Sequence, residues 1–151
     1  MEKIKTYVIT LSQHFLATHK RAGEPTDFKE KFLNGEKIHT IRANYPLWEK
    51  RVKEVQEGRA VLSIRQWTGK PYRSKQIEIA RLTAANGVGI QKLCFPNRLT
   101  AWVDYPEMKL SVDFKHLAKN DGLSLVDWCD WFRHYDLSKP LAIIHFTKFR
   151  Y

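Results

Sequence analysis

Two alternating runs joined by a turn predict a β-hairpin in the middle of the chain. Residues 59–67 read RAVLSIRQW and residues 75–83 read KQIEIARLT, and in both runs apolar and polar side chains alternate as they do in strands. The residues between them begin Thr-Gly-Lys-Pro, which is typical of a turn. The chain is therefore expected to fold around a sheet.

The flanking sequence adds strands and helices to this hairpin. Residues 7–12 and 141–149 have strand character, and apolar residues recur at helical spacing within 45–58 and 113–132. The chain has 151 residues, of which 43% are hydrophobic, and it contains no internal repeat or linker. These properties indicate one folded domain spanning 1–151.

A helix that ends at a glycine is predicted within residues 28–42, FKEKFLNGEKIHTIR. Phe28 starts the helix, and Asp27 with Glu30 could form a capping box at its beginning. Gly35 can adopt the left-handed conformation that ends a helix. This segment carries the candidate site.

The β-branched run 38–42 follows this helix. Thr40 and Arg42 point to the same side of the predicted strand because strand side chains alternate, and Lys37 lies in the turn before it. An amine, a hydroxyl and a guanidinium can therefore converge at one strand end. The alternative is the solvated face of an ordinary amphipathic strand.

Residues 35–42, Gly-Glu-Lys-Ile-His-Thr-Ile-Arg, resemble the G-x-K-x-x-T-x-R signature of ASCH domains, which belong to the PUA-like superfamily. The match is closest to the bacterial N(4)-acetylcytidine amidohydrolase group. Residues 116–125, followed by a helix and the strand 141–149, are similar to the closing segment of that family. The resemblance implies an α+β fold, a small PUA-like mixed β-barrel with flanking helices, to which residues 84–112 add a β-hairpin insertion.

The same resemblance implies catalytic roles for Lys37 as base, Thr40 as nucleophile and Asp121 as proton donor. A threonine hydroxyl is a weak nucleophile and needs a nearby amine whose pKa is lowered, for which Arg42 could supply the neighbouring cation. Asp121 is one methylene shorter than the glutamate of the closest relatives. Its Asn-Asp-Gly context is also ordinary turn chemistry.

A ligand is expected to contact residues beyond this trio. The tip of the central hairpin interleaves positive charge with an aromatic ring, which suits a nucleic-acid backbone but also any exposed hairpin. The ligand-contacting candidates are Arg42, Gly35, His39, Arg65, Lys70, Tyr72 and Arg73.

The formal charge of +10 and the pI near 9.7 favour a polyanionic partner, RNA or a modified nucleoside, although such a balance can also simply maintain solubility. No membrane partner is predicted, and the start of the chain shows no secretory signal, which indicates a cytoplasmic protein.

Cys94 and Cys129 lack metal-binding spacing and are expected to be buried, reduced thiols. Neither a metal nor a cofactor is implied.

Three functions remain open from the sequence. The first is an ASCH-type domain that binds RNA or a modified nucleoside in a cleft lined by Lys37, Thr40, Arg42 and Asp121. The second is an amidohydrolase that acts on N-acylated cytidine. The third is an interaction scaffold without pocket chemistry. The oligomeric state is left open by all three.

Overall fold

The computed structural model describes residues 3–151, which form four helices and eight strands. Met1 and Glu2, part of the stretch in which no secretory signal is seen, lie outside the described residues. The strands are β1 Lys5–Thr10, β2 His39–Arg42, β3 Ala60–Trp67, β4 Gln76–Leu82, β5 Gly89–Asn97, β6 Thr100–Val103, β7 Leu110–Val112 and β8 Leu141–His145. The helices are α1 Phe28–Leu33, α2 Tyr45–Gln56, α3 Phe114–Asn120 and α4 Leu125–Trp131.

The strands are divided between two sheets. A three-stranded sheet has the order β1-β3-β4, with β1 parallel to β3 and β3 antiparallel to β4. A five-stranded sheet has the order β2-β8-β5-β6-β7, in which every neighbouring pair is antiparallel. The α+β class and the central hairpin are thus confirmed.

The expected closed barrel is not formed within residues 3–151, because the strand pairings leave two separate sheets. The role of residues 84–112 also differs from the expectation, which was an added hairpin. Strands β6 and β7 do form the predicted hairpin, but β5 pairs with both β8 and β6 inside the five-stranded sheet. The nine residues of β5 are therefore part of the main sheet and not of an insertion.

The core lies around β8 and α2. All five residues of β8 are buried, strands β2 and β5 pair with its two edges, and helix α2 packs against it. Helix α2 buries Trp48, Val52 and Val55 and contacts strands of both sheets. Trp48 is thus a core residue.

The predicted start of α1 at Phe28 and its end at Gly35 are confirmed, whereas the capping box predicted for Asp27 and Glu30 is not formed. Gly35 has φ +76, in the left-handed region, and follows the last turn of the helix. Asp27 has φ +60 and its side chain makes no capping hydrogen bond. The Phe28 amide donates to the Thr26 hydroxyl at 3.3 Å. Thr26, and not Asp27, therefore supplies a side-chain acceptor to an amide in the first turn of the helix, which has no partner within the helix.

The prediction that both thiols are buried is wrong for Cys129, which is exposed on α4, while Cys94 is half-buried. The apolar stripe of α4 turns Trp128 and Phe132 inward, and Cys129 lies beside that stripe. No helix in residues 3–151 is long and apolar enough to cross a membrane.

Candidate functional site

A narrow cavity of about 150 Å³ lies where the end of β1, strand β2 and the turn after α3 meet. Three of its walls bring together segments far apart in the sequence. Its lining residues are Thr10, Leu11, Ser12, Leu16, Phe28, Lys37, Thr40, Ile41, Arg42, Asp121, Leu123, Trp131, Phe132 and Tyr135. The four residues proposed to line a shared cleft, Lys37, Thr40, Arg42 and Asp121, are all among them.

A buried ion pair forms the floor of this cavity. Lys37 Nζ lies 3.0 Å from Asp121 Oδ1 and donates to the Asp121 backbone carbonyl at 2.8 Å. Both residues are only 3% exposed. The ammonium also lies 4.2 Å from the centroid of the Phe28 ring, a favourable position for a cation.

Backbone hydrogen bonds hold the two partners in register. The Ile38 amide donates to the Asn120 carbonyl at 2.9 Å, which ties the start of β2 to the turn that carries Asp121. On the other side of that turn, Lys31 Nζ donates to the Gly122 carbonyl at 2.8 Å. Two lysines therefore satisfy consecutive carbonyls at the end of α3, where a helix leaves its carbonyls without partners.

Burial and pairing act differently on the two members of the pair. Burial lowers the pKa of Lys37, with smaller contributions from Arg42 and Lys31, and Asp121 only partly opposes this. Burial alone would raise the pKa of Asp121, but Lys37 and His39 together outweigh it and lower that pKa. Asp121 is therefore an ionised acceptor at neutral pH, and Lys37 is more acidic than an ordinary lysine.

Thr40 and Arg42 lie on the same face of β2, as the alternation predicts. Arg42 Nη2 donates to the Thr10 carbonyl at 2.7 Å, and its Nε lies 3.4 Å from Thr40 Oγ1. Burial lowers the pKa of Arg42. The guanidinium thus connects β2 to the end of β1 across the mouth of the cavity and contacts the hydroxyl that a ligand would meet.

His39 belongs to a buried network behind the site and not to the cavity lining. It is fully buried, with Nδ1 3.4 Å from Asp121 Oδ1 and Nε2 2.6 Å from the Tyr151 hydroxyl. Asn120 Nδ2 donates to the same hydroxyl at 3.0 Å. His39 therefore does not line this cavity, and ligand contact by His39 stays a prediction from the sequence; in the structure its ring contacts Asp121 and Tyr151.

Other ligand-contacting candidates lie away from this cavity. Gly35 borders a separate shallow depression and serves to end α1. Arg65 donates to Ser63 Oγ at 2.9 Å and Gln76 Oε1 at 3.3 Å, contacts within its own sheet. Direct ligand contact by Gly35 or Arg65 at this cavity is thus not supported.

The three hairpin-tip candidates lie outside the narrow cavity. Tyr72 lines a second cavity of about 410 Å³, and Lys70 and Arg73 are exposed beside it. The tip therefore borders a neighbouring surface, not the site floor.

Several lining residues were not singled out from the sequence. Thr10 is the last residue of β1 and Ser12 follows it, while three aromatic residues at and after the end of α4 also line the cavity: Trp131, Phe132 and Tyr135. The aromatic cluster at i, i+1 and i+4 was a detectable signal, but its apolar members are equally typical of a core helix. Tyr151 gave no signal, because its contacts with His39 and Asn120 are long-range.

Comparison of the chain with protein-family models, with curated proteins and with solved structures gives no match. The residues described, 3–151, contain no cluster of three or more His, Cys, Asp or Glu side chains that could hold a metal ion. The chemistry of the site is therefore argued from its own side chains.

Replacing Asp121 by Asn is expected to destabilise the protein by about 3–5 kcal/mol, because it leaves the Lys37 ammonium buried without its counter-charge. The double variant Lys37→Met/Asp121→Asn should recover most of that loss, since it removes both charges. Urea unfolding measures both effects. The control is Glu107→Gln, which breaks the exposed Lys92–Glu107 pair and should cost less than about 1 kcal/mol. Equal losses of unfolding free energy for Asp121→Asn and Glu107→Gln would contradict the assignment of Lys37 and Asp121 as a buried ion pair.

The same pair predicts a stability loss in acid. The folded pKa of Asp121 lies below its ordinary value near 3.9, so in that interval the unfolded chain binds more protons and stability falls as the pH falls. Unfolding free energies measured between about pH 2 and 6 should decline more steeply for the wild type than for Lys37→Met/Asp121→Asn. Parallel curves would argue against an ionised Asp121.

Proposed function

We propose that this protein is an ASCH-type, PUA-like domain whose cavity binds a nucleobase, presented by RNA or by a modified nucleoside. The observation that carries the proposal is the convergence of Lys37, Thr40, Arg42 and Asp121 on one narrow cavity. Three of these residues, Lys37, Thr40 and Arg42, are the side chains of the motif in residues 35–42, which supports the proposal. Two segments 84 residues apart supply the floor through the Lys37–Asp121 pair.

The donors and acceptors of the cavity suit the edge of a base. An ammonium has three donors, and two of those of Lys37 are directed at Asp121, which leaves one for a ligand carbonyl or ring nitrogen. Thr40 can both donate and accept. Base edges present these complementary groups, and proteins that bind unpaired bases recognise them in this way.

The shape of the cavity supports the same ligand. Its volume of about 150 Å³ is small compared with the roughly 300–1,000 Å³ of pockets that enclose whole drug-sized ligands. Aromatic walls from Phe28, Trp131, Phe132 and Tyr135 suit a flat heterocycle. A base fits these features better than a complete nucleotide does.

The charge of the chain adds an attraction for phosphate. The formal net charge of +10 favours a polyanion through counterion release. This term is independent of sequence, so it would support RNA more than a free nucleoside.

The test is a titration of the protein with the four ribonucleosides and with N(4)-acetylcytidine, followed by two-dimensional amide NMR. Thr40→Val and the double variant Lys37→Met/Asp121→Asn, which leaves no unpaired buried charge, should each weaken binding about 10- to 100-fold, because each removes a buried hydrogen bond to the ligand. Lys53→Met removes an exposed lysine on α2 and should leave binding unchanged. Absence of shifts at residues lining the cavity would contradict the proposal.

An amidohydrolase acting on N-acylated cytidine is the second candidate, favoured by the lowered pKa of Lys37, which lines the same cavity as Thr40. In this reaction Thr40 Oγ attacks the acyl carbon, and its proton passes to the neutral amine of Lys37. Lys37 then gives the proton to the departing exocyclic amine, and water hydrolyses the threonine ester to release the carboxylic acid. Asp121 is ionised and therefore suits orientation of Lys37 better than the proton donation expected from the resemblance.

For the hydrolase, incubation of the purified protein with N(4)-acetylcytidine should release cytidine and acetate, detected by chromatography. Thr40→Ser keeps a hydroxyl and should retain turnover, whereas Thr40→Val should abolish it. Binding of N(4)-acetylcytidine without cytidine release would remove the hydrolase and leave the binding function in place.

A further inference from the structure

A second cavity adjoins the candidate site. It has a volume of about 410 Å³ and lies between residues 10–17 and the tip of the β3–β4 hairpin. Thr10, Leu11, Ser12 and Leu16 line both this cavity and the narrow one. The two are therefore neighbouring parts of one groove, with the end of β1 as their shared wall.

Two aromatic rings form one side of the second cavity. The Trp67 and Tyr72 rings lie 5.2 Å apart between centroids. Tyr72 is 89% exposed, so a large ring faces water at a turn where a polar residue would be less costly. Its φ of +63 is also unusual for a bulky residue, since that region favours glycine.

The hairpin tip that carries this ring is positively charged. Residues 68–75 read TGKPYRSK, which contains three cations and no acidic residue. Lys70, Arg73 and Lys75 are exposed. Aromatic rings interleaved with exposed cations are typical of surfaces that bind single-stranded nucleic acid.

We propose that the groove binds a single strand of RNA across two nucleotides, with one base in the narrow cavity and the adjacent base stacked on Tyr72. This inference rests on the proposed function. The narrow cavity takes only the base, so the chain that bears the base must leave through its mouth. The RNA backbone continues from that mouth into the second cavity. The Lys70, Arg73 and Lys75 side chains neutralise its phosphates. The ligand is thus an oligonucleotide rather than a free nucleoside.

The experiment compares cytidine, uridine and adenosine with the single-stranded RNA pentamers of the same bases, using calorimetry on the full chain. The variant is Tyr72→Ala, and the control is Leu99→Ala, which removes another side chain that is 89% exposed, in the β5–β6 connection. Tyr72→Ala should weaken pentamer binding about 5- to 100-fold, the effect expected for loss of one stacked base, and leave nucleoside binding unchanged. Leu99→Ala should change neither.

Salt dependence gives a second measurement. Lys70→Gln and Arg73→Gln should each reduce the slope of log affinity against log salt by about 0.7 for the pentamer. A pentamer affinity that is insensitive to Tyr72→Ala would overturn the inference, and so would equal weakening of nucleoside and pentamer. If Lys37→Met/Asp121→Asn weakens nucleoside binding in the same series, the proposed function survives that result. If neither the nucleosides nor the pentamers bind, the proposed function and the two-nucleotide inference are both contradicted.

Discussion

The buried pair of Lys37 and Asp121 is the interaction on which the site depends. An ammonium and a carboxylate that are both 3% exposed are stable together and costly apart. The pair joins the loop before β2 to the turn between α3 and α4, and two hydrogen bonds reinforce that connection, one from the Ile38 amide and one from the Lys31 side chain. Thr40 and Arg42 are then placed by the alternation of β2 alone.

A network of buried histidines and their partners lies behind this pair, on the side away from the cavity. His39 lies between Asp121 and the Tyr151 hydroxyl, and His145 Nε2 donates to Gln91 Oε1 at 3.0 Å. Burial, with the nearby His39 and Arg150, lowers the pKa of His145 to about 3, so this histidine is neutral. The Lys37 ammonium, 3.0 Å from Asp121 Oδ1, is the cation that pairs with this carboxylate.

Local patterns predicted much of this arrangement, and long-range contacts account for what they missed. The hairpin, the end of α1 at Gly35 and the shared face of Thr40 and Arg42 all follow from periodicity or backbone preference, which act over a few residues. The two-sheet arrangement does not, because residues 84–112 resemble an added segment in sequence, whereas β5 pairs on both sides within the five-stranded sheet. The position of Asp121 was expected only from the resemblance, and the role of Tyr151 depends on contacts across 112 residues.

The mouth of the cavity differs in construction from its floor. No strand ladder joins the two sheets in residues 3–151, and at this point β1 and β2 are connected by the side-chain bond from Arg42 to Thr10. A ladder fixes the spacing of two strands through successive backbone bonds, whereas here one charged side chain is held against one carbonyl. The separation of β1 and β2 at the mouth of the cavity is therefore sensitive to the conformation of the Arg42 side chain.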